Sequence, residues 1–404
     1  MTESIERTAE CPVTGKPNQD WDPLSAESLF NTAEHDNEMR RTCPVAYTEQ
    51  FGGFWSVFDH ETITKVVRDT ETFISAPSPT VPPVSSPDRP FPPLQSDPPM
   101  HRKYRSPLIP FFRGDRIASF EPRLVELTNE LIDEFIDKGE VDFAKQLATP
   151  LPAKGICLLL GLPEDDWRYF HDWANRLIAC AFAQDMAGVE AIFDDITAFA
   201  TSWIAERRKE RKDDVIDALL HTEIDGRPMT DTEIIGTFTL LFSAGHETIA
   251  SAISWSLKYL ADNPDIRAQL AADPTSLPAA TIELIRLASP ARALARTTTK
   301  PVELGGRQIG AGERIAVVFG AGSRDERVFD NPDDFDVSRD NRKHLAFGNG
   351  IHRCIGEELA KLEVRICLQE VLRRIPDFEL AGEVQQTLWP TNGFATLPMA
   401  FPAN

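Results

Sequence analysis

The feature that most constrains this chain is one long segment, MTDTEIIGTFTLLFSAGHETIASAISWSLKYLADNP, from Met229 to Pro264. It opens on a capping box, with Thr230 as the cap and Glu233 three residues on. From there it reads as helix, nearly apolar all round as far as Gly245. Such a helix lies in the middle of a protein and not on its surface. The other elements must therefore wrap around it, and 404 residues suffice to bury a large core without disulfides.

The segment has one polar interruption, SAGHET, Ser243 to Thr248. Apolar helix continues on both sides, so a solvated turn explains it poorly. Glycine weakens a helix in mid-span, and a threonine hydroxyl can bond back to a carbonyl and bend it. A kink is expected here, holding a buried acid, Glu247, and a buried alcohol, Thr248.

Most of the surrounding pattern is helical. In EPRLVELTNELIDEFIDKG, Leu124, Leu127, Leu131 and Phe135 share one face, and Gly139 ends the run. The last helix is expected from Glu357 to Ile375, with a short strand-like tail after it. Near the N-terminus, Phe54 to Phe58 reads as a strand and Thr62 to Asp69 as a helix capped by Asp59. From Thr299 the period changes, and PVELGGRQIGAGERIAVVF reads as two or three short strands joined by Gly-Gly and Ala-Gly turns. Between Ile74 and Pro99, prolines at 77, 79, 82, 83, 87, 90, 92, 93, 98 and 99 exclude helix and interior strand. A loop this long is more often functional than idle, and Phe91 and Leu94 give it apolar side chains to present to a ligand. With no repeat and no interdomain linker, the expectation is a flexible arm over 1–20 and one large, mainly α domain with a small β-rich region over 21–404.

The formal net charge of -21 disfavours nucleic-acid binding. No apolar run spans a bilayer and no leader segment is present, so no membrane anchor is expected. The cysteines, at 11, 43, 157, 180, 354 and 367, form no CxxC pair. Zinc-finger and disulfide-scaffold readings are weak, and a reducing cytoplasm is the expected compartment.

One cysteine stands apart, in HLAFGNGIHRCIGEELAKLE, His344 to Glu363. A lone cysteine is usually a small buried apolar group. Here Gly348, Gly350 and Gly356 allow a tight loop and a close backbone approach by something flat. The helix from Glu357 brings free N–H groups and a positive dipole end beside the sulfur, which favour a thiolate. A thiolate facing open space is a soft metal ligand. With no companion ligands nearby, it suits an axial haem position better than zinc.

Phe347, Gly350, His352, Cys354 and Gly356 reproduce the pattern F-x-x-G-x-[HR]-x-C-x-G. In this the chain resembles the cytochrome P-450 haem-thiolate proteins, in the style of the soluble bacterial, camphor-hydroxylating group. Other family motifs follow in order from Trp21 to Pro402. Glu283 and Arg286 form an E-x-x-R pair, which alone would be a surface ion pair worth little. The resemblance implies instead a buried pair bracing the haem-binding core, with Arg339 as its third member. SAGHET is similar to A-G-x-[DE]-T. That implies room for dioxygen at Ala244 and Gly245, a hydrogen-bonding role for Thr248 and proton relay by Glu247. His101 and Arg105, one turn apart, together with Arg296 and His352, match the family's partners for the haem propionates. The implied cofactor is haem b, iron protoporphyrin IX, with Cys354 as its metal ligand.

By family position the substrate pocket draws on Phe91, Leu94, Phe182, Leu240, Ser243, Leu294 and Thr391. That set implies a mostly apolar small molecule, a terpenoid being one such class. Arg102, Lys103, Arg113, Arg116, Arg342, Lys343, Arg353, Lys361 and Arg365 fall in segments expected around the cysteine face. In an acidic chain, such a patch could steer an acidic electron donor. The resemblance implies a ferredoxin with its NAD(P)H reductase, and a reaction in which one atom of O2 enters the substrate. Two rivals are a peroxide-driven haem-thiolate peroxygenase, a class that typically lacks the acid–alcohol pair, and a non-catalytic haem sensor.

Overall fold

The structure, a computed structural model, describes residues 19–84 and 88–403. Most of the expected N-terminal arm lies outside them, although Asp20 is already buried and its carboxylate accepts the Tyr47 N–H at 2.8 Å. The central helix runs from Asp231 to Asp262, and its capping box forms as the sequence requires. Thr230 accepts the Glu233 N–H, and the Glu233 carboxylate accepts that of Thr230. The helix is continuous through SAGHET, so the expected kink is not there. Thr248 does donate back to the Ala244 carbonyl, at 2.8 Å. That back-bond is accommodated within an unbroken run of helix.

The helices Pro150–Leu160, Trp167–Phe182, Met186–Arg207, Leu277–Ala288 and Glu357–Arg374 all contact the central helix. Glycines make the closest approaches. A Cβ on Gly245 would lie 2.8 Å from Ile156 on the helix Pro150–Leu160. One on Gly393, in the C-terminal tail, would lie 2.5 Å from the Cα of Ser251. At Gly236 the backbone of the proline-rich loop, at Pro90, occupies the space of a Cβ. Loop and tail thus cross the central helix on either side of SAGHET.

A five-stranded sheet packs to one side, in the order Val45–Thr48, Phe54–Val57, Arg314–Val318, Ala293–Thr298, Phe73–Ile74. The hairpin Val302–Leu304 with Arg307–Ile309 turns at Gly305 and Gly306, both at positive φ. The helix capped by Asp59 spans His60–Arg68, two residues longer at its start than the pattern suggested. The run expected to continue to Gly139 ends at Asp133, and a 3-10 turn, Ile136–Lys138, carries the chain to Gly139 at φ +69°. Among the described residues no helix is long and apolar enough to cross a membrane.

Candidate active site

Cys354 sits between a one-turn 3-10 helix, Gly350–His352, and the helix Glu357–Arg374. Its N–H donates to the Phe347 carbonyl at 2.8 Å, which closes the loop. The three glycines differ in what they do. Gly350, at φ +73°, lies on the end of the helix His60–Arg68, where a Cβ would meet the Val67 carbonyl at 2.6 Å. Gly348 needs its positive φ of +69°. Only Gly356 turns its bare Cα toward the sulfur, where a Cβ would lie 3.9 Å away. The close backbone approach expected of all three at a flat group therefore rests on Gly356, and Gly350 serves packing.

The sulfur is exposed although protein surrounds it, so it looks into a cleft. Burial pushes the thiol up to about 11, against the Gly356 N–H and the charges of Arg105 and Arg353. The helix mouth alone does not hold a thiolate, because desolvation outweighs it. A metal cation at the sulfur would reverse that balance, since a coordinating thiol loses its proton outright.

Beside the cysteine the structure gathers His101, Arg105, Arg296 and His352. The two imidazoles pack edge to face with ring centres 4.4 Å apart. His352 Nε2 lies 3.0 Å from Ser75 Oγ, whereas His101 Nε2 is buried with no partner. Arg296 is 2% exposed, yet its one side-chain hydrogen bond goes to the Ala295 carbonyl. Arg105 donates to the Arg353 carbonyl. Among the described residues no carboxylate bonds to any of the four. Burial, then the neighbouring guanidiniums of Arg105 and Arg296, pushes His101 down to about 4. Burial, then Arg296, His101 and Arg105, pushes His352 down to about 2. Burial pushes Arg296 down to about 10, with Asp97 the nearest acid opposing it. Buried cations normally have partners. Here two guanidiniums, Arg105 and Arg296, lack an acid partner among the described residues, and two imidazoles that stay neutral at neutral pH stand beside them. Together they form a receptor for anionic groups, and the two propionates of a haem beside a cysteine ligand fit that donor set.

On the central helix Ala244 is exposed between half-buried Ser243 and Gly245, and Glu247 and Thr248 are half-buried. Burial raises the Glu247 carboxyl to about 7. Gly245 faces Ile156, so its missing side chain serves helix packing.

Glu283 and Arg286 are fully buried and paired through both oxygens at 2.8 Å. Arg339 Nε donates to Glu283 at 2.9 Å and Asn341 at 3.0 Å, and Arg286 also donates to the carbonyls of Ser323 and Pro332. The network ties the helix Leu277–Ala288 to the segment leading into the cysteine loop.

The residues read as substrate contacts divide. Leu240 and Ser243 lie on the central helix near Glu247, and Ser243 borders a small void with Phe170 and Trp173. Phe91 is buried against Phe193, with ring centres 5.8 Å apart, and Leu94 packs on the same core. Leu294 lies in the sheet beside the Arg296 strand positions, and Thr391 bridges to Ala291. Phe182 packs edge to face on Phe51 at 5.4 Å. Pattern reading missed Ser75, which holds His352, and Asp97, which anchors the loop by accepting the Ser75 and Ala76 N–H groups. Both sit in the proline-rich stretch, where no period marks individual residues.

The expected basic patch is largely neutralised. Lys103 pairs with Asp225, Arg116 with Asp213, Arg342 with Asp340, Arg353 and Lys361 with Glu357, and Arg365 with Glu121. Among the described residues Arg102, Arg113 and Lys343 have no ion pair.

Residues 170–398 match the family model for cytochrome P-450. The chain belongs to the cytochrome P-450 family. This cytochrome P-450 is 33% identical over 349 residues to the putative cytochrome P-450 YjiB of Bacillus subtilis, covering 84% of this chain and 86% of that one. It is 30% identical to linalool 8-monooxygenase of Pseudomonas putida, covering 85% and 89%. Among solved structures, it superposes on a mutant of P-450 EryK in complex with erythromycin B with a TM-score of 0.83, at 30% identity, covering 92% of this chain and 96% of that one. The mainly α architecture is therefore the P-450 fold, and the activity is that of a haem monooxygenase using O2 and electrons from a redox partner.

Proposed function

We propose that this cytochrome P-450 binds haem b through Cys354 and hydroxylates a mostly apolar small molecule of the terpenoid class, with electrons from a ferredoxin and its NAD(P)H reductase. One observation carries the cofactor placement: two arginines and two neutral histidines gather beside Cys354, and among the described residues no carboxylate bonds to them. Arg105, Arg296, His101 and His352 would hold the propionates, and Cys354 the iron. When bound, the haem supplies activation of O2, with a thiolate ligand that favours O–O cleavage.

The chain's own groups manage protons. A carboxyl near 7 both releases and recovers a proton at neutral pH, which suits Glu247 to relay. Thr248 gives its hydrogen to the Ala244 carbonyl, so its oxygen is free to accept from a water held in the groove. The long apolar stretch of the central helix and the buried Phe91 and Leu240 keep other water out. That the terpenoid class is favoured rests on the likeness to linalool 8-monooxygenase and on the few polar anchors, Ser243 and Thr391.

With so many arginines already paired, the donor would be met by Arg102, Arg113 and Lys343, with further cations released as their acids swap partners. The peroxygenase reading is disfavoured because that class typically lacks the acid–alcohol pair that Glu247 and Thr248 supply here. The test is turnover of the holoenzyme with linalool, a ferredoxin, its reductase and NADH. Hydroxylated product formed only with the complete chain of donors supports the proposal. Product formed equally well from hydrogen peroxide alone, with no gain from the donors, would contradict it.

A further inference from the structure

A cleft of about 400 Å³ opens on the far end of the central helix, two turns beyond Thr248. No residue assigned to the haem or to the substrate pocket lines it. One wall is Trp255 stacked on Tyr259, with ring centres 5.2 Å apart and planes within 15°. Phe394 and Val384 of the C-terminal tail close the opposite side, and Phe30 stands at the mouth, 60% exposed. The floor is the buried ion pair of Asp36 with Arg292, both 2% exposed. Arg292 spends its donors on Asp36 and Ser28. The floor is thus satisfied, and Lys258 with Asp262 and Arg324 with Asp333 pair at its sides, which leaves Glu34 as the one charged lining residue with no ion pair among the described residues. The Tyr259 hydroxyl differs: half-buried in the wall, it has no hydrogen-bond partner among the described residues.

We propose that this cleft is a second small-molecule site, for a flat, uncharged, largely apolar compound with one oxygen in reach of the Tyr259 hydroxyl. Its volume falls within the range of small-ligand pockets, roughly 300–1,000 Å³. Offset stacking on Trp255 and Tyr259 supplies the apolar contact, and the phenol supplies a polar anchor beside the ring faces. A charged ligand would have to compete with a floor whose groups already compensate one another.

The site is tied to the turn carrying Thr391. Arg292 N–H donates to the Pro390 carbonyl and Asn392 N–H to that of Pro290, both at 2.9 Å, while the Asn392 amide reaches Ala288. An occupant touching Phe394 and Leu287 would lie against these same segments.

The probe is 2-naphthol, measured by equilibrium dialysis against holoenzyme saturated with 4-phenylimidazole, which closes the haem pocket. The azole's own spectral shift reports separately whether the haem site is formed as described. The site predicts residual, saturable 2-naphthol binding with the azole in place. Ala33→Trp, on the half-buried rim, fills the cleft and should abolish that binding. Tyr259→Phe keeps the stack and should weaken it about three- to tenfold. No residual binding under the azole, or residual binding unchanged by both substitutions, overturns the proposal.

Discussion

The carbonyl oxygen of Pro90 lies so close to Gly236 that no side chain could stand there, and Pro92 Cδ is 3.3 Å from the same point. The proline-rich loop is seated on the central helix through this one bare position. Arg89 extends the seat by pairing with Asp194 at 2.9 Å and stacking over Phe193.

Replacing Gly236 with alanine tests that seat. In an unobstructed helix interior, glycine to alanine gains about 1 kcal/mol. Here the added methyl must displace backbone, and overpacking costs about 1–3 kcal/mol. Gly236→Ala is expected to lower the thermal midpoint and to weaken binding of an iron-coordinating azole. A raised midpoint would show that the loop yields freely.

Glu363 makes stability depend on pH. It is 1% exposed, both oxygens lack partners, and its carboxylate crowds Gly155 on the helix Pro150–Leu160. Burial raises its pKa well above the usual carboxylate value. The folded state then holds a proton that the unfolded chain has released once the pH exceeds the ordinary value of 4.5. Stability therefore falls as pH rises above that value, by about 1.4 kcal/mol per unit for one proton, until the folded-state pKa is passed. Glu363→Gln should flatten the decline between pH 6 and 8 (about that window), leaving the smaller share due to Glu247. Denaturant unfolding across this range checks it, and an unchanged slope would assign the proton elsewhere.

How far these features were legible in the sequence depends on whether local spacing reported them. The capping box at Thr230, the E-x-x-R pair and the cysteine loop are short-range patterns, and their residues fall together as the spacing implied. That the central helix runs unbroken through SAGHET was not legible, because packing against Ile156 and the crossings at Gly236 and Ser251 come from segments distant in sequence. The thiolate reading weighed the helix mouth and missed the larger desolvation of Cys354. The basic patch looked open because its partners, Asp213, Asp225 and Glu121 among them, lie on other elements. Glu363 gave no signal at all, since a single glutamate in a helix reads as surface.

The Glu283 network should be costly to break from one side. Removing Glu283 leaves Arg286, 0% exposed, and the inner end of Arg339 without their acid. Breaking such a buried pair costs about 3–5 kcal/mol. Glu283→Ala is expected to yield little soluble holoenzyme, with Glu283→Gln intermediate because it keeps the hydrogen-bond acceptor. Haem retained per chain and the urea midpoint measure this, and wild-type values for Glu283→Ala would remove the bracing role.

The proton relay is tested at Glu247 and Thr248. Glu247→Gln should remove the limb of the pH–rate profile near the carboxyl's value of about 7. Thr248→Ala should let NADH consumption continue while product per NADH falls. Unchanged coupling in Thr248→Ala would mean that its hydroxyl serves only the Ala244 carbonyl.

The most direct test concerns Cys354 itself. Purified protein and its Cys354→Ala variant are reconstituted with haem, reduced with dithionite and exposed to carbon monoxide, and the Soret band is recorded. The parent protein should show the thiolate-type band, and Cys354→Ala should lack it whether or not haem remains in the cleft. A thiolate-type band that persists in Cys354→Ala would contradict the assignment of this cysteine as the metal ligand, and with it the placement of the cofactor.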